Sequence, residues 1–167
     1  MKLFAKLFTV MAVIICTAFA ADAQLPSVQL KNLAGKPVDT ATLSNDGKPF
    51  IISFWATWCK PCRRELKAIH EVYEDWQEET GVKVIAVSID KAQDVTKVKP
   101  IVDNSGWDYE ILLDPNSDFL RSMGGSNVPF VVVVDGNGKV FEAHSGYTEG
   151  SEDHLLELVK EAAEKSK

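Results

Sequence analysis

The sequence feature that most constrains the fold is a β-prone run that leads directly into an amphipathic helix. The run Phe50–Trp55 (FIISFW) is almost entirely apolar, which is typical of a strand buried on both faces. From about Lys60 to Glu79, apolar residues recur at helical spacing. They form a single stripe of Leu66, Ile69, Tyr73 and Trp76. A doubly buried strand that feeds a helix predicts a sheet with helices on both faces.

The segments on either side continue this alternation. A small β-hairpin is expected within Leu25–Asn45, ahead of the main fold, because Gly35-Lys36-Pro37 indicates a turn. The elements predicted downstream are a strand at Val82–Ile89, a helix at Lys91–Asn104 that Pro100 interrupts, a strand at Tyr109–Leu113, a short helix after Asn116, strands at Val131–Val134 and Lys139–Ala143 joined by a turn at Asp135–Gly138, and a helix from Ser151. This order predicts an α/β fold with a central mixed β-sheet flanked by helices.

The first 23 residues have the pattern of an export signal. Lys2 and Lys6 precede an apolar run, and small-residue cleavage patterns end at Ala20 and at Ala23. We therefore divide the chain into a signal peptide, 1–23, cleaved after Ala23 or Ala20, and one domain, 24–167. If it is uncleaved, the segment would hold the chain at a membrane, although a spanning helix needs about 20 apolar residues.

Charge and cysteine content exclude several classes of protein. The net charge is −6, and removal of the signal leaves about −7, so no basic stripe is available for nucleic acid. Cys16 follows Ile15, which is too large for a lipoprotein motif, and it leaves with the signal. The remaining cysteines, Cys59 and Cys62, close too small a loop to act as a structural staple. We expect an exported monomer with no nucleic-acid partner.

The motif that carries chemistry is Cys59-Lys60-Pro61-Cys62, at the junction of the strand and the helix. A cysteine at a helix start is close to unpaired N–H groups and to the positive end of the dipole, and both stabilise a thiolate. Cys62 lies one turn further on and can close a disulfide with Cys59. We predict that Cys59, the more exposed thiol, attacks a substrate disulfide and that Cys62 resolves the mixed disulfide.

Two other cysteine chemistries do not fit the spacing. Structural zinc needs four ligands, but there is no second cysteine pair, and His70, His144 and His154 lack the spacing of a zinc motif. We therefore expect no metal and no cofactor other than the redox-active disulfide. A peroxidatic cysteine requires Pro and Thr or Ser at the positions that Ile52 and Ala56 occupy.

The motif and its surroundings resemble the thioredoxin superfamily, in particular the TlpA/ResA group of exported thiol-disulfide oxidoreductases. The resemblance rests on the segment Phe54–Cys62 and on the Gly-Lys-Pro sequences at Gly35 and Gly47, and it covers nearly all of the mature chain. It implies a thioredoxin-like fold with an N-terminal β-hairpin and an inserted helix-strand element within Lys91–Met123.

The resemblance also implies roles for individual residues. Val128-Pro129 matches the family's cis-proline, whose preceding backbone pairs with substrate, although Phe130 stands where the family commonly has Thr. Glu65, three residues after Cys62, matches a glutamate of this group that relays protons; the alternative is a helix-surface glutamate. Ser53 replaces the buried Asp of cytoplasmic thioredoxins. We expect Trp58, Lys60 and Pro61 to contact substrate with Val128 and Pro129, with Cys59, Cys62 and Glu65 in the catalytic set.

The expected function is the reduction of protein disulfides in the periplasm, with electrons from a membrane or periplasmic thiol donor. Cytochrome c maturation is one role that the resemblance suggests. Two alternatives remain at this stage. The pair could act as a disulfide donor or isomerase, because potentials in this fold range from about −270 to about −120 mV. Alternatively, the cysteines could hold Cu(I), with His144 as a further ligand.

Overall fold

Seven strands form one mixed sheet in the computed structural model, which describes residues 24–166. The strands are β1 (Gln29–Asn32), β2 (Pro37–Asp39), β3 (Phe50–Trp55), β4 (Lys83–Ser88), β5 (Glu110–Leu113), β6 (Phe130–Val134) and β7 (Val140–Ser145). Their order across the sheet is β2-β1-β5-β4-β3-β6-β7. β3, β4 and β5 are parallel, and the remaining pairs are antiparallel. This confirms the predicted thioredoxin-like α/β fold.

Helices cover both faces of the sheet, as the buried strand predicted. They are α1 (Lys60–Thr80), α2 (Val98–Ser105), α3 (Asp118–Ser122) and α4 (Ser151–Lys165). All six residues of β3 are buried. Ile51 and Trp55 pack with residues of α1, α2 and α4, whereas Phe50, Ile52 and Phe54 pack with Phe119 and Leu120 of α3. Alternate side chains of β3 therefore belong to two separate cores.

Helix α1 begins and ends where the sequence signals its boundaries. Pro61 lies in the first turn, where its missing N–H removes no intrahelical bond. Gly81 closes the helix in the left-handed region, φ 67°, and its N–H donates to the carbonyl of Gln77. Because the start is fixed at the end of β3, the residues of the first turn stand at one edge of the sheet.

One local prediction needs correction, and another is confirmed and extended. The segment Lys91–Asn104 is not one helix interrupted by proline: a 3₁₀ turn at Val95–Lys97 leads into α2. Pro100 is the third residue of α2. The first four N–H groups of a helix have no carbonyl acceptor within the helix, so a proline at this position removes no hydrogen bond and does not break α2. The predicted N-terminal hairpin is confirmed by the antiparallel pair β1–β2, and β1 also pairs with β5, so the hairpin extends the central sheet.

The inserted element is held to α1 by an aromatic cluster. Trp107 meets Trp55 edge to face, with ring centroids 5.4 Å apart, and Tyr109 meets Tyr73 at 5.2 Å. The Tyr109 hydroxyl donates to the carbonyl of Leu66 at 2.9 Å. These contacts fix the end of α2 beside the first turns of α1.

Between residues 24 and 166, no helix has the length and apolarity that crossing a membrane requires.

Candidate active site

The loop that follows β3 is fixed by a buried carboxylate that sequence reasoning missed. Asp90 is 1% exposed and accepts from the Thr57 N–H at 2.8 Å and from the Thr57 hydroxyl at 2.6 Å. The Ser88 hydroxyl also donates to Asp90, at 2.8 Å. Asp90 comes directly after β4, which is parallel to β3, so its side chain reaches the same edge of the sheet. Its place directly after a predicted strand was the sequence signal that could have identified Asp90 as a residue of this edge.

The cysteine pair stands at the first turn of α1. Cys59 is the N-cap residue, and its Sγ accepts from the Cys62 N–H at 3.3 Å. The two residues form a disulfide, with their Cα atoms 5.4 Å apart. Cys59 is 5% exposed and Cys62 is fully buried, so Cys59 is the more accessible sulfur. The hydrogen bond from the helix N–H would also stabilise a Cys59 thiolate after reduction.

The charges around this turn are positive. Lys60, Arg63 and Arg64 are all exposed, and α1 has no acidic residue in its first turn. Acidic residues are ordinarily favoured at a helix start, because they complement the dipole. The local field therefore favours an anion at the N-terminus of α1, and the thiolate of Cys59 is one such anion.

Glu65 is a buried acid one turn beyond Cys62. It is 3% exposed, so the alternative of a helix-surface glutamate is wrong. Ser53 of β3 is fully buried and points to the same face of the sheet as Trp55, toward α1. Within the described residues, the Ser53 hydroxyl and the Oε2 of Glu65 have no hydrogen-bond partner of good geometry. Sequence pattern alone did not separate this buried acid from a surface one.

Burial gives Glu65 an unusual affinity for its proton. Desolvation raises the pKa of Glu65 from 4.5 to about 8, the nearby Ser53 hydroxyl opposes the rise, and the charge of Glu152 adds to it. At neutral pH the buried side chain is therefore largely a neutral acid. Such a group can give or take a proton near the pH at which thiols exchange.

The cis-proline lies at the same edge of the sheet. The Val128–Pro129 peptide bond is cis, as the resemblance predicts. Phe130 pairs with Phe54 across β6 and β3, which places Pro129 beside the end of the strand that leads to Cys59. Phe130 is 6% exposed, with its ring 5.9 Å from that of Phe54. The residue that departs from the family pattern therefore packs in the core.

Trp58 is the one large apolar side chain in 24–166 that is exposed, at 66%. It directly precedes Cys59 and also borders a cleft with Ile89 and Pro115. Trp55, in contrast, is fully buried, as expected of a core residue. Exposed apolar surface next to a reactive pair is typical of a site that contacts other proteins.

Metal ligands do not gather at this site in the part of the chain that the structure describes. No group of three or more His, Cys, Asp or Glu residues there could hold a metal ion. His144 lies on β7 and is half-buried, and its burial lowers its pKa. His144 therefore does not join Cys59 and Cys62 in a three-ligand group in the described residues, and the Cu(I) hypothesis rests on the two cysteines.

The paired cysteines at a helix start, beside a cis-proline loop, define a thioredoxin-like thiol-disulfide oxidoreductase. The chain matches the AhpC/TSA family over residues 21–143 and belongs to that family. It is 30% identical over 130 residues to the thiol-disulfide oxidoreductase ResA of Geobacillus thermodenitrificans, an alignment that covers 78% of this chain and 72% of ResA. The chain is thus a ResA-type thiol-disulfide oxidoreductase.

Solved structures agree with this assignment. A thioredoxin-like protein from Porphyromonas gingivalis is 60% identical, with a TM-score of 0.76, covering 86% of this chain and 94% of that one. A thio-disulfide isomerase from Thermus thermophilus is 29% identical, with a TM-score of 0.66, covering 85% of this chain and 96% of that one. Both share the fold that positions Cys59 and Cys62.

Proposed function

We propose that this chain is an exported reductase of protein disulfides, with Cys59 as nucleophile, Cys62 as resolving thiol and Glu65 as proton relay. The observation that carries the proposal is the arrangement of α1. Cys59, the more exposed of the two cysteines, caps the helix, fully buried Cys62 follows one turn later, and a buried acid follows after another turn. Each of these positions suits one step of thiol-disulfide exchange.

In the first step, the Cys59 thiolate attacks one sulfur of a substrate disulfide. A bond forms between Cys59 Sγ and that sulfur, the substrate S–S bond breaks, and the other substrate sulfur leaves as a thiolate. The N-terminus of α1 and the cations beside it stabilise the attacking thiolate.

In the second step, Cys62 attacks Sγ of Cys59. This closes the Cys59–Cys62 disulfide and releases the second substrate thiolate, so two electrons have passed from the protein to the substrate. The Cys62 proton must leave first. We assign its acceptance to the ionised form of Glu65, which lies on the same face of α1 and is the minor form at neutral pH. An external dithiol protein then reduces the pair and completes the cycle.

Substrate docking is assigned to the exposed groups around the pair. The N–H and C=O of Val128 bond to no other described group, whereas the Pro129 carbonyl accepts from the Gly146 N–H at 2.9 Å. Val128 therefore has backbone groups that can pair with an extended substrate segment. Trp58, Lys60 and Pro61 flank the cysteines in sequence, and we assign apolar and charged contacts with the substrate to them.

The cellular part of the proposal rests on the N-terminal signal pattern, which lies outside the described residues, and on the relatives. Export would place the domain in the periplasm, where a thiol donor at the membrane must supply electrons. Oxidised apocytochrome c is one proposed substrate, because its cysteines must be reduced before haem attachment. A peptide with an oxidised Cys-x-x-Cys-His segment tests this role: faster reduction than of a peptide with the same composition and scrambled spacing supports it, and equal rates contradict it.

The catalytic assignment is tested with two cysteine variants. Cys59→Ser is expected to abolish insulin reduction, because no other described thiol is accessible. Cys62→Ser is expected to retain the first step and to accumulate a mixed disulfide, which gel mobility under non-reducing conditions detects. Full insulin reduction by Cys59→Ser would contradict the mechanism.

A further inference from the structure

A groove of about 750 Å³ runs along the exposed side of α1, beginning beside the cysteine pair. One side is formed by four cations of α1, and the other by the end of α2 and by Trp107. The lining residues are Lys60, Arg63, Arg64 and Lys67 on α1, Asn104 and Ser105 at the end of α2, and Trp107, two residues beyond that end. This volume is in the range of sites that hold small ligands or short peptide segments.

The cations of the groove are poorly neutralised. Lys60, Arg63 and Arg64 make no ion pair with any residue in 24–166, and Lys67 meets one carboxylate, Glu71, at 3.5 Å. Several lysines elsewhere are paired at shorter distances, such as Lys99 with Asp103 at 2.7 Å. Positive charge is therefore concentrated on this face of a chain whose net charge is −6.

The extent of the cationic stripe exceeds what the thiolate requires. At about 1.5 Å per residue, Lys67 lies roughly 10 Å along the helix axis from Lys60. Exposed charges at that distance are largely screened at physiological ionic strength. Lys67 therefore contributes little to the Cys59 thiolate, and its placement along the groove, beyond Lys60, Arg63 and Arg64, indicates a ligand with several negative charges.

The opposite wall suits a peptide. Trp107 is 7% exposed, so a small part of its side chain lines the groove, while its Nε1 is buried. Asn104 and Ser105 add polar side chains at the end of α2. The groove thus combines an aromatic side chain, amide and hydroxyl groups and a row of cations. This combination matches an extended acidic segment, because each carboxylate can accept two parallel hydrogen bonds from an arginine guanidinium.

We propose that this groove binds an acidic segment of the protein substrate, adjacent in sequence to the disulfide that Cys59 attacks. This inference rests on the proposed function and names the class of substrate that the site selects. Contact along α1 would orient the substrate disulfide toward Cys59, and electrostatic attraction would speed the encounter.

The test uses three synthetic peptides that share one intramolecular disulfide and differ in four flanking residues: all Glu, all Ser or all Lys. The reduced protein is mixed with each peptide, and the second-order rate constant of reduction is measured at about 20 mM and about 300 mM salt. We expect the Glu peptide to react about tenfold faster than the Lys peptide at low salt, and the difference to shrink at high salt.

The variant Lys67→Glu is expected to reduce this preference. Lys36→Glu, a charge reversal of an exposed lysine in the turn between β1 and β2, is the matched control and should keep it. With a small neutral disulfide such as hydroxyethyl disulfide, the Lys67→Glu variant should react at the rate of the unchanged protein, because Lys67 is too far from the thiolate to act on it.

The outcomes separate the two proposals. If the Ser peptide is reduced but the Glu and Lys peptides react equally, the groove proposal is wrong and the proposed function stands. If none of the peptides is reduced, both fail. Loss of reactivity with hydroxyethyl disulfide in the Lys67→Glu variant would mean that Lys67 acts on Cys59 instead of the substrate, and it would overturn the groove proposal. Equal peptide rates with salt-sensitive binding to phosphatidylglycerol vesicles would assign the groove to a membrane surface and overturn the proposal.

Discussion

Glu65 is the residue whose chemistry depends most on its surroundings. In sequence it is one of many glutamates on a charged helix, yet it is the only glutamate among the described residues that is buried. The buried face of α1 includes it because it follows Cys62 by three positions, so both side chains project to the same side. The nearby residue Ser53 has a neutral hydroxyl group, so it does not bring the negative charge that a buried Asp would bring at this position.

The shifted pKa of Glu65 makes a prediction about stability. The folded chain keeps the Glu65 proton up to about pH 8, whereas the unfolded chain releases it near 4.5. Between these values the folded state binds more protons, so the free energy of unfolding falls as pH rises. Glu65→Gln should abolish this contribution, which is on the order of 3 kcal/mol between pH 5 and pH 8.

Urea unfolding of the oxidised protein at several pH values measures the effect. Glu74→Gln, an exposed glutamate of the same helix, is the control and should leave the pH dependence of the unchanged protein in place. A Glu65→Gln protein with that same pH dependence would show that Glu65 is ionised in the folded chain.

At the scale of elements, the active-site loop is fixed from outside itself. Asp90, after β4, holds Thr57 through both a backbone and a side-chain hydrogen bond. The Ile89 N–H also donates to the carbonyl of Trp55 at 2.9 Å. The position of Cys59 therefore depends on the end of the neighbouring strand as well as on α1.

Asp90→Ala should consequently lower the free energy of unfolding by about 2 to 3 kcal/mol, because it leaves the buried donors of Thr57 and Ser88 unsatisfied. Asp103→Ala, which removes an exposed carboxylate paired with Lys99, should cost less than about 1 kcal/mol. Urea unfolding compares the two variants. Equal losses would mean that the loop does not depend on Asp90.

Local sequence signals predicted the elements well and their long-range partners poorly. The run Phe50–Trp55 and the stripe of α1 have clear periods, so strand, helix and cysteine positions followed directly. The pairing of β1 with β5, and the bond from Asp90 to Thr57, join residues far apart in the chain. Such contacts leave no local period, and the burial of Glu65 was hidden for the same reason.

At the scale of the whole molecule, charge is distributed unevenly. The chain is acidic overall, while the cations of α1 line a groove that starts at the reactive pair. An acidic surface with one cationic groove directs anionic partners toward that groove and repels them elsewhere. Substrate choice would thus come from the surface beside the cysteines, and redox chemistry from the helix start that holds them.

The direction of electron flow is the central claim, and the reduction potential of the Cys59–Cys62 pair tests it most directly. Residues 24–167 are equilibrated in glutathione or dithiothreitol buffers of defined potential, and the oxidised fraction is followed by thiol alkylation. A reductase is expected to have a potential near or below about −230 mV, so that its dithiol can reduce substrate disulfides. A value above about −150 mV would contradict the account and indicate a disulfide donor or isomerase.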